Sequence, residues 1–287
     1  MNLTVGCMAK VFWRWFHAFP LCDVAYPDYT GDKAVAGTVV VAETDNGIKM
    51  FGTVVGLAAS GTGGIHIHSG VSCATTADPG GHYFDGMTAD PWTTTYTADA
   101  SGVASVEFEI GDFTLSGAYP VAGRVVVVHD TDGSRIACGV VTPTEGEVVT
   151  MGTYPDYTGA VTMAGTLLVK DSEAGLSITG TLGGLEASAS GGLHIHSGYT
   201  CDVAAGVGGH YFEGMTSDPW TTTYTTDANG YSSVAMELAD FTMEEGFPVA
   251  ARAMVAHAST GARVGCGLVG AADTAVVTLA GELRCWF

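Results

Sequence analysis

The sequence predicts an all-β chain made of two tandem sandwich or barrel domains. Two observations carry this. The chain repeats itself without a gap, so that YPDYTG at 26–31 returns at 154–159 and GGHYFDGMTADPWTTTYT at 80–97 returns from Gly208 as GGHYFEGMTSDPWTTTYT. Each copy is then a series of short runs alternating with period two and broken by Gly-rich turns, with no amphipathic helix between them.

In the first copy, AGTVVVAE at 36–43 and KMFGTVVGL at 49–57 read as strands joined through TDNG, a hairpin signal. VEFEI at 106–110 places Val106, Phe108 and Ile110 on one face and Glu107 and Glu109 on the other. RVVVVHD at 124–130 is a more continuous apolar strand, and TDGSR turns it into IACGVV. VVT at 148–150 returns at 276–278, so VVTLAGELRCWF adds a further strand or begins another unit. Glycine, 41 of 287 residues, stands at about twice its usual share, which suits such turns. The units run from 24 to 151 and from 152 to 279, with tails at 1–23 and 280–287. Each unit is long enough to fold alone. The first tail contains VFWRWFHAFPL, apolar but interrupted by Arg14 and His17, and reads as a poor signal or an irregular segment.

Charge narrows the function. The net charge is −20 with ten Lys plus Arg, which argues against nucleic acid, whose phosphates need a basic face. No apolar run reaches the length of a membrane span. Of seven cysteines, four sit at matched positions, Cys73 and Cys138 and then Cys201 and Cys266. A matched pair per unit reads as one disulfide per unit and places the protein outside the cell, secreted or at its surface. Four reduced thiols in a cytosolic protein is the alternative. Cys7, Cys22 and Cys285 lie outside the units and leave an oligomer or an intermolecular disulfide open.

Eight of nine histidines keep the repeat: His66, His68, His82 and His129, then His194, His196, His210 and His257. On a strand, residues i and i+2 face one side, so HIH projects two imidazoles together. His82 follows a Gly-Gly turn and His129 ends an apolar strand, so a third and a fourth ring can join them. Imidazole suits copper, zinc, iron and nickel; four neutral nitrogens favour Cu(II), with tetrahedral zinc the competitor. A lone histidine is usually without metal, but four per unit, written twice, are not easily read as surface residues.

These residues resemble the copper/zinc superoxide dismutase family over most of each unit. HIHSG is similar to that family's copper-binding His-x-His, and GGHYF to its Gly-Pro-His-Phe, whose histidine bridges copper and zinc. YTADASGVASVEFEI is similar to its segment before the sixth strand. GRVVVVHD and GSRIACGVV are similar to the segments bearing its last copper histidine, its active-site arginine and its second disulfide cysteine. The resemblance implies a Greek-key barrel or sandwich in each unit. It implies one copper per unit, on His66, His68, His82 and His129 and on His194, His196, His210 and His257. It also implies the disulfides Cys73–Cys138 and Cys201–Cys266, with His82, His210, Arg135 and Arg263 in catalytic roles and superoxide as substrate.

Two departures matter. Tyr83 to Tyr96 contains no histidine, so the family's zinc site is missing and zinc is expected to be absent. The loop between the last histidine and Arg135 is only a few residues, where the family has a long steering loop. Both are similar to the copper-only branch and its extracellular tandem-repeat members. Without zinc, another group must orient His82; Asp85 (Glu213 in the second copy), Asp90 (Asp218) and Glu109 (Glu237) are the candidates. Arg124 and Arg252 read as braces, and Trp92 and Trp220 as loop-packing aromatics. The other functional readings are an extracellular copper-binding surface repeat and a copper buffer, each without significant turnover; the acidic charge and the missing steering loop favour them.

Overall fold

The computed structural model describes residues 25–144 and 146–270, together with the backbone of 275–279. The two tails, and with them Cys7, Cys22 and Cys285, lie outside the described residues. The first half of the chain forms β1 (Ala36–Thr44), β2 (Gly47–Val55), β3 (Thr62–His68), β4 (Thr95–Thr97), β5 (Ala104–Gly111), β6 (Val125–His129), β7 (Arg135–Val140) and β8 (Thr142–Pro143). β9 (Glu147–Thr153) leads into β10 (Ala164–Ser172), β11 (Gly175–Gly183) and β12 (Ser190–Ile195). After the one-turn helix α1 (Ala204–Val207) come β13 (Thr223–Thr225), β14 (Ser232–Leu238), β15 (Phe241–Thr242), β16 (Phe247–Pro248), β17 (Ala253–His257), β18 (Arg263–Leu268) and β19 (Ala275–Leu279).

The expected hairpin forms: β1 and β2 pair antiparallel from Thr44↔Gly47 to Ala36↔Val55. β5 lies on the outer side of β2, and β3 crosses to a second sheet of order β4-β3-β6-β7. The chain thus goes over, back to the edge of the first sheet, and over again, which is the Greek-key path. The second half repeats it, with β14 beside β11 and β12 beside β17. Alternation decides what enters each core. Val39, Val41, Ile48, Met50, Ile65, Ile67, Val126 and Val128 are fully buried in the first half, and Leu167, Val169, Leu176, Ile178, Ile195, Met254 and Ala256 are among their counterparts in the second.

Two strands are placed by pairing that crosses between the halves. β9 pairs with β10 and with β18, both in the second half. Its counterpart β19 pairs with β1 and β8, and lies beside β7, in the first half. Each half therefore takes a strand that follows the other half in sequence.

The halves meet sheet to sheet, β1 and β2 against β10 and β11. Four threonines are buried there in two hydroxyl pairs, Thr38 with Thr181 at 3.2 Å and Thr53 with Thr166 at 3.0 Å. Thr38 corresponds to Thr166 and Thr53 to Thr181, so each bond joins the same two positions with the halves exchanged. That is the self-complementary pattern of a two-fold interface. Val40, Val148 and Leu168 close an apolar patch between the halves.

Candidate metal centres

β3 shows why the histidines converge. Ile65 and Ile67 point into the core with no exposed surface, so His66 and His68 share the opposite face. β6 pairs beside β3, Ile65 opposite Val128 and His66 opposite Val127, which brings His129 at the strand's end to the same place. A loop tied by Cys73–Cys138 then returns His82 to a bridge with His68. The second half builds the same set from β12, β17 and the loop tied by Cys201–Cys266. Both expected disulfides are present, with Cα atoms 6.2 and 5.8 Å apart.

In each half the four histidines offer ring nitrogens within 4.8 Å of one another. The far nitrogens are already committed. His66 Nε2–H donates to Thr94 O at 3.0 Å, His68 Nδ1–H to Gly80 O at 3.1 Å, and His129 Nδ1–H to Gly133 O at 3.0 Å. His194, His196 and His257 donate likewise to Thr222 O, Gly208 O and Gly261 O, each at 3.1 Å. These bonds fix the tautomers and turn His66 Nδ1, His68 Nε2 and His129 Nε2 inward. His66 Nδ1 is buried without any hydrogen-bond partner. An orphaned acceptor aimed at three other nitrogens is what a metal ligand looks like before its ion is added. Glycine makes room: a Cβ on Gly64 would stand 2.5 Å from His66 Cε1, and one on Gly192 2.5 Å from His194 Cε1.

Burial keeps these rings neutral. It lowers His66 and His194 to about 4, helped by the neighbouring His129 and His82 or His257 and His210. Burial lowers His68 and His196 to about 3, and lowers His129 and His257 as well. A neutral imidazole is the form that binds a metal.

Among the three acids open for His82, the structure selects one. His82 Nδ1–H donates to Asp90 Oδ2 at 2.7 Å, and His210 Nδ1–H to Asp218 Oδ2 at 2.7 Å. Burial pushes the Asp90 carboxyl up, but the Trp92 N–H and His82 outweigh it, and the carboxyl ends below its usual range. Asp218 behaves the same way with Trp220 and His210. Asp85 is exposed. Glu109 lies on β5 opposite Lys49, and Glu237 accepts a hydrogen bond from Ser172.

The arginines divide as their positions suggest. Arg135 Nη2–H donates to Gly80 O at 2.7 Å, the same carbonyl that holds His68. Arg124 and Arg252 reach the carbonyls of Ser69 and Ser197 and stack over Tyr83 and Tyr211, bracing the disulfide loops. Trp92 and Trp220 are buried against Phe113 and Phe241 and donate to Tyr83 O and Tyr211 O. A cavity of about 450 Å³ opens beside the second set, between His194, His210, Trp220 and His257.

Residues 35–141 match the family model described as copper/zinc superoxide dismutase (SODC). That span runs from just before β1 to the end of β7 and contains the whole first histidine set. A solved structure of a double mutant of a SOD-like protein from Bacillus subtilis is similar at 23% identity, covering 44% of this chain and 98% of that one with a TM-score of 0.37. Sequence reasoning named every histidine of both sets. It missed the tyrosines that touch Arg135 and Arg263, although the recurrence of YPDYTG marks them.

Proposed function

We propose that each half holds one copper ion and that the chain disproportionates superoxide into oxygen and hydrogen peroxide. The supporting observation is the histidine cage built twice, with its far nitrogens tied off and His82 and His210 turned to a carboxylate. His82 and His210 Nδ1 are each hydrogen-bonded to a carboxylate, which supports a reading with copper alone. The two disulfides fit a secreted or surface protein.

Bound copper would supply a one-electron couple that accepts an electron from one superoxide and returns it to the next. The net reaction consumes two superoxide anions and two protons and yields one oxygen and one hydrogen peroxide. The chain's residues do the rest. Arg135 and Arg263 provide positive charge beside the cages, where it offsets the net charge of −20 for an incoming anion. His82, held by Asp90 through Nδ1, can carry a proton on Nε2 and deliver it to the leaving peroxide. His66, His68 and His129, kept neutral by burial, would hold the ion.

The test is the full-length chain reconstituted with copper. Metal analysis should find two copper ions per chain, with catalytic loss of superoxide that falls roughly tenfold or more in Arg135→Ala/Arg263→Ala, given what a positioned charge contributes. A zinc-loaded chain should be inactive. Full copper occupancy with no turnover above buffer would favour the second reading, a copper-binding surface repeat or buffer, which the acidic surface and short loops also support.

A further inference from the structure

We propose that Tyr26 and Tyr154 are positioning residues that hold Arg135 and Arg263 in place for the anion; the proposal rests on the superoxide reading above. The same geometry occurs in both halves. Arg135 Nη1–H donates to the Tyr26 hydroxyl at 2.9 Å, and Arg263 Nη1–H to the Tyr154 hydroxyl at 2.9 Å. Each hydroxyl in turn donates to a backbone carbonyl of the disulfide loop, Thr76 O at 2.8 Å and Ala204 O at 3.3 Å, which are equivalent positions. Each tyrosine is anchored by its own N–H, to Ile136 O and to Val264 O at 2.9 Å, the residue directly after the arginine. Both rings are buried, and the guanidinium carbons lie 5.7 and 5.8 Å from the ring centres.

A buried hydroxyl needs both its donor and its acceptor partner. Here the acceptor is a main-chain carbonyl of a cross-linked loop, and the donor is the arginine. The tyrosine therefore transmits the rigidity of the disulfide loop to a side chain that would otherwise sample many rotamers. In the first half Gly80 O takes the second Nη of the fork, so Arg135 is held from two sides with donors left for an anion. In a chain with only ten Lys plus Arg, orienting one cation per site replaces the field that a long charged loop would supply.

The experiment uses the full-length, copper-reconstituted chain with Tyr26→Phe/Tyr154→Phe, and azide as the probe anion. Azide dissociation constants are read from the charge-transfer absorbance of Cu(II), alongside the second-order rate with superoxide. Azide affinity and rate are expected to fall together by roughly three- to tenfold, the factor one lost hydrogen bond commands. Copper stoichiometry and the Cu(II) paramagnetic resonance spectrum should stay as in the parent chain, while the unfolding midpoint falls modestly with the lost hydrogen bonds. Arg135→Lys/Arg263→Lys, which keeps the charge but cannot form the fork, should show the same loss with both tyrosines intact. If Tyr→Phe and Arg→Lys leave azide binding unchanged while Arg→Ala weakens it, the positioning role is wrong and the superoxide reading stands. If Arg→Ala changes neither azide binding nor rate, both fall.

Discussion

Asp90 Oδ2 lies 2.7 Å from His82 Nδ1, while Asp90 Oδ1 accepts the N–H of Trp92 at 2.9 Å. Asp218 makes the same two contacts with His210 and Trp220, at 2.7 and 3.0 Å. The Asp-Pro-Trp segment thus links the main-chain amide of a buried tryptophan to an imidazole through one carboxylate. Replacing Asp90 and Asp218 by Asn should keep the fold but lower copper affinity or turnover by about 10- to 100-fold, the range for groups that orient a metal-binding histidine. Competition with a calibrated copper chelator measures it, and unchanged affinity and rate would remove these acids from the site.

The disulfides should matter more to stability than to cage geometry. Each joins cysteines 65 positions apart, and closing a loop of that length in the unfolded chain is worth about 4 kcal/mol. Cys73→Ser/Cys138→Ser should lower the unfolding free energy extracted from urea melts by about 4 kcal/mol with the strand content retained. A shift below about 1 kcal/mol would mean the loop is held by Arg124 and its neighbours instead.

Acid should weaken the metal-free chain. His66 and His194 are lowered to about 4, and His68 and His196 to about 3, by burial. In the unfolded chain these rings take protons near pH 6.5. Between those values the unfolded state binds more protons, so stability falls as pH drops from about 6.5 toward 4. Denaturant melts of the metal-free protein across that window should show it. Flat stability would mean the rings are solvated.

The threonine pairs between the halves predict a non-additive result. Thr38→Val alone leaves the Thr181 hydroxyl buried without its partner and should cost about 1–3 kcal/mol. Thr38→Val/Thr181→Val should recover most of it, because two apolar groups of similar shape replace the bonded pair. Additive losses in a double-mutant cycle would show that the hydroxyls do not act as a unit.

Much of this was legible in the residues. The HIH alternation with Ile65 and Ile67 dictated one shared face, and the repeat made each histidine a matched position. Three features were not. Asp85, Asp90 and Glu109 are chemically alike, and only the return of the loop past Trp92 brings one of them to His82. The Tyr26 hydroxyl lies 109 residues from Arg135 in sequence, beyond any local pattern. The third is strand placement. A repeat has a period but no phase, so VVT at 148–150 and at 276–278 fits either barrel equally well as a sequence. Only the pairing of β9 with β10, directly ahead of it, and of β19 with β1, far behind it, decides.

That crossing of strands sets where the molecule is vulnerable. A single cut between Leu268 and Ala275 would release the neighbour of Val39 and Val40 in the half most distant along the chain. β1 would then offer a bare row of amides and carbonyls, a template for any passing extended segment. Damage beside β19 would be felt as stickiness at β1, far away in sequence, with neither cage touched.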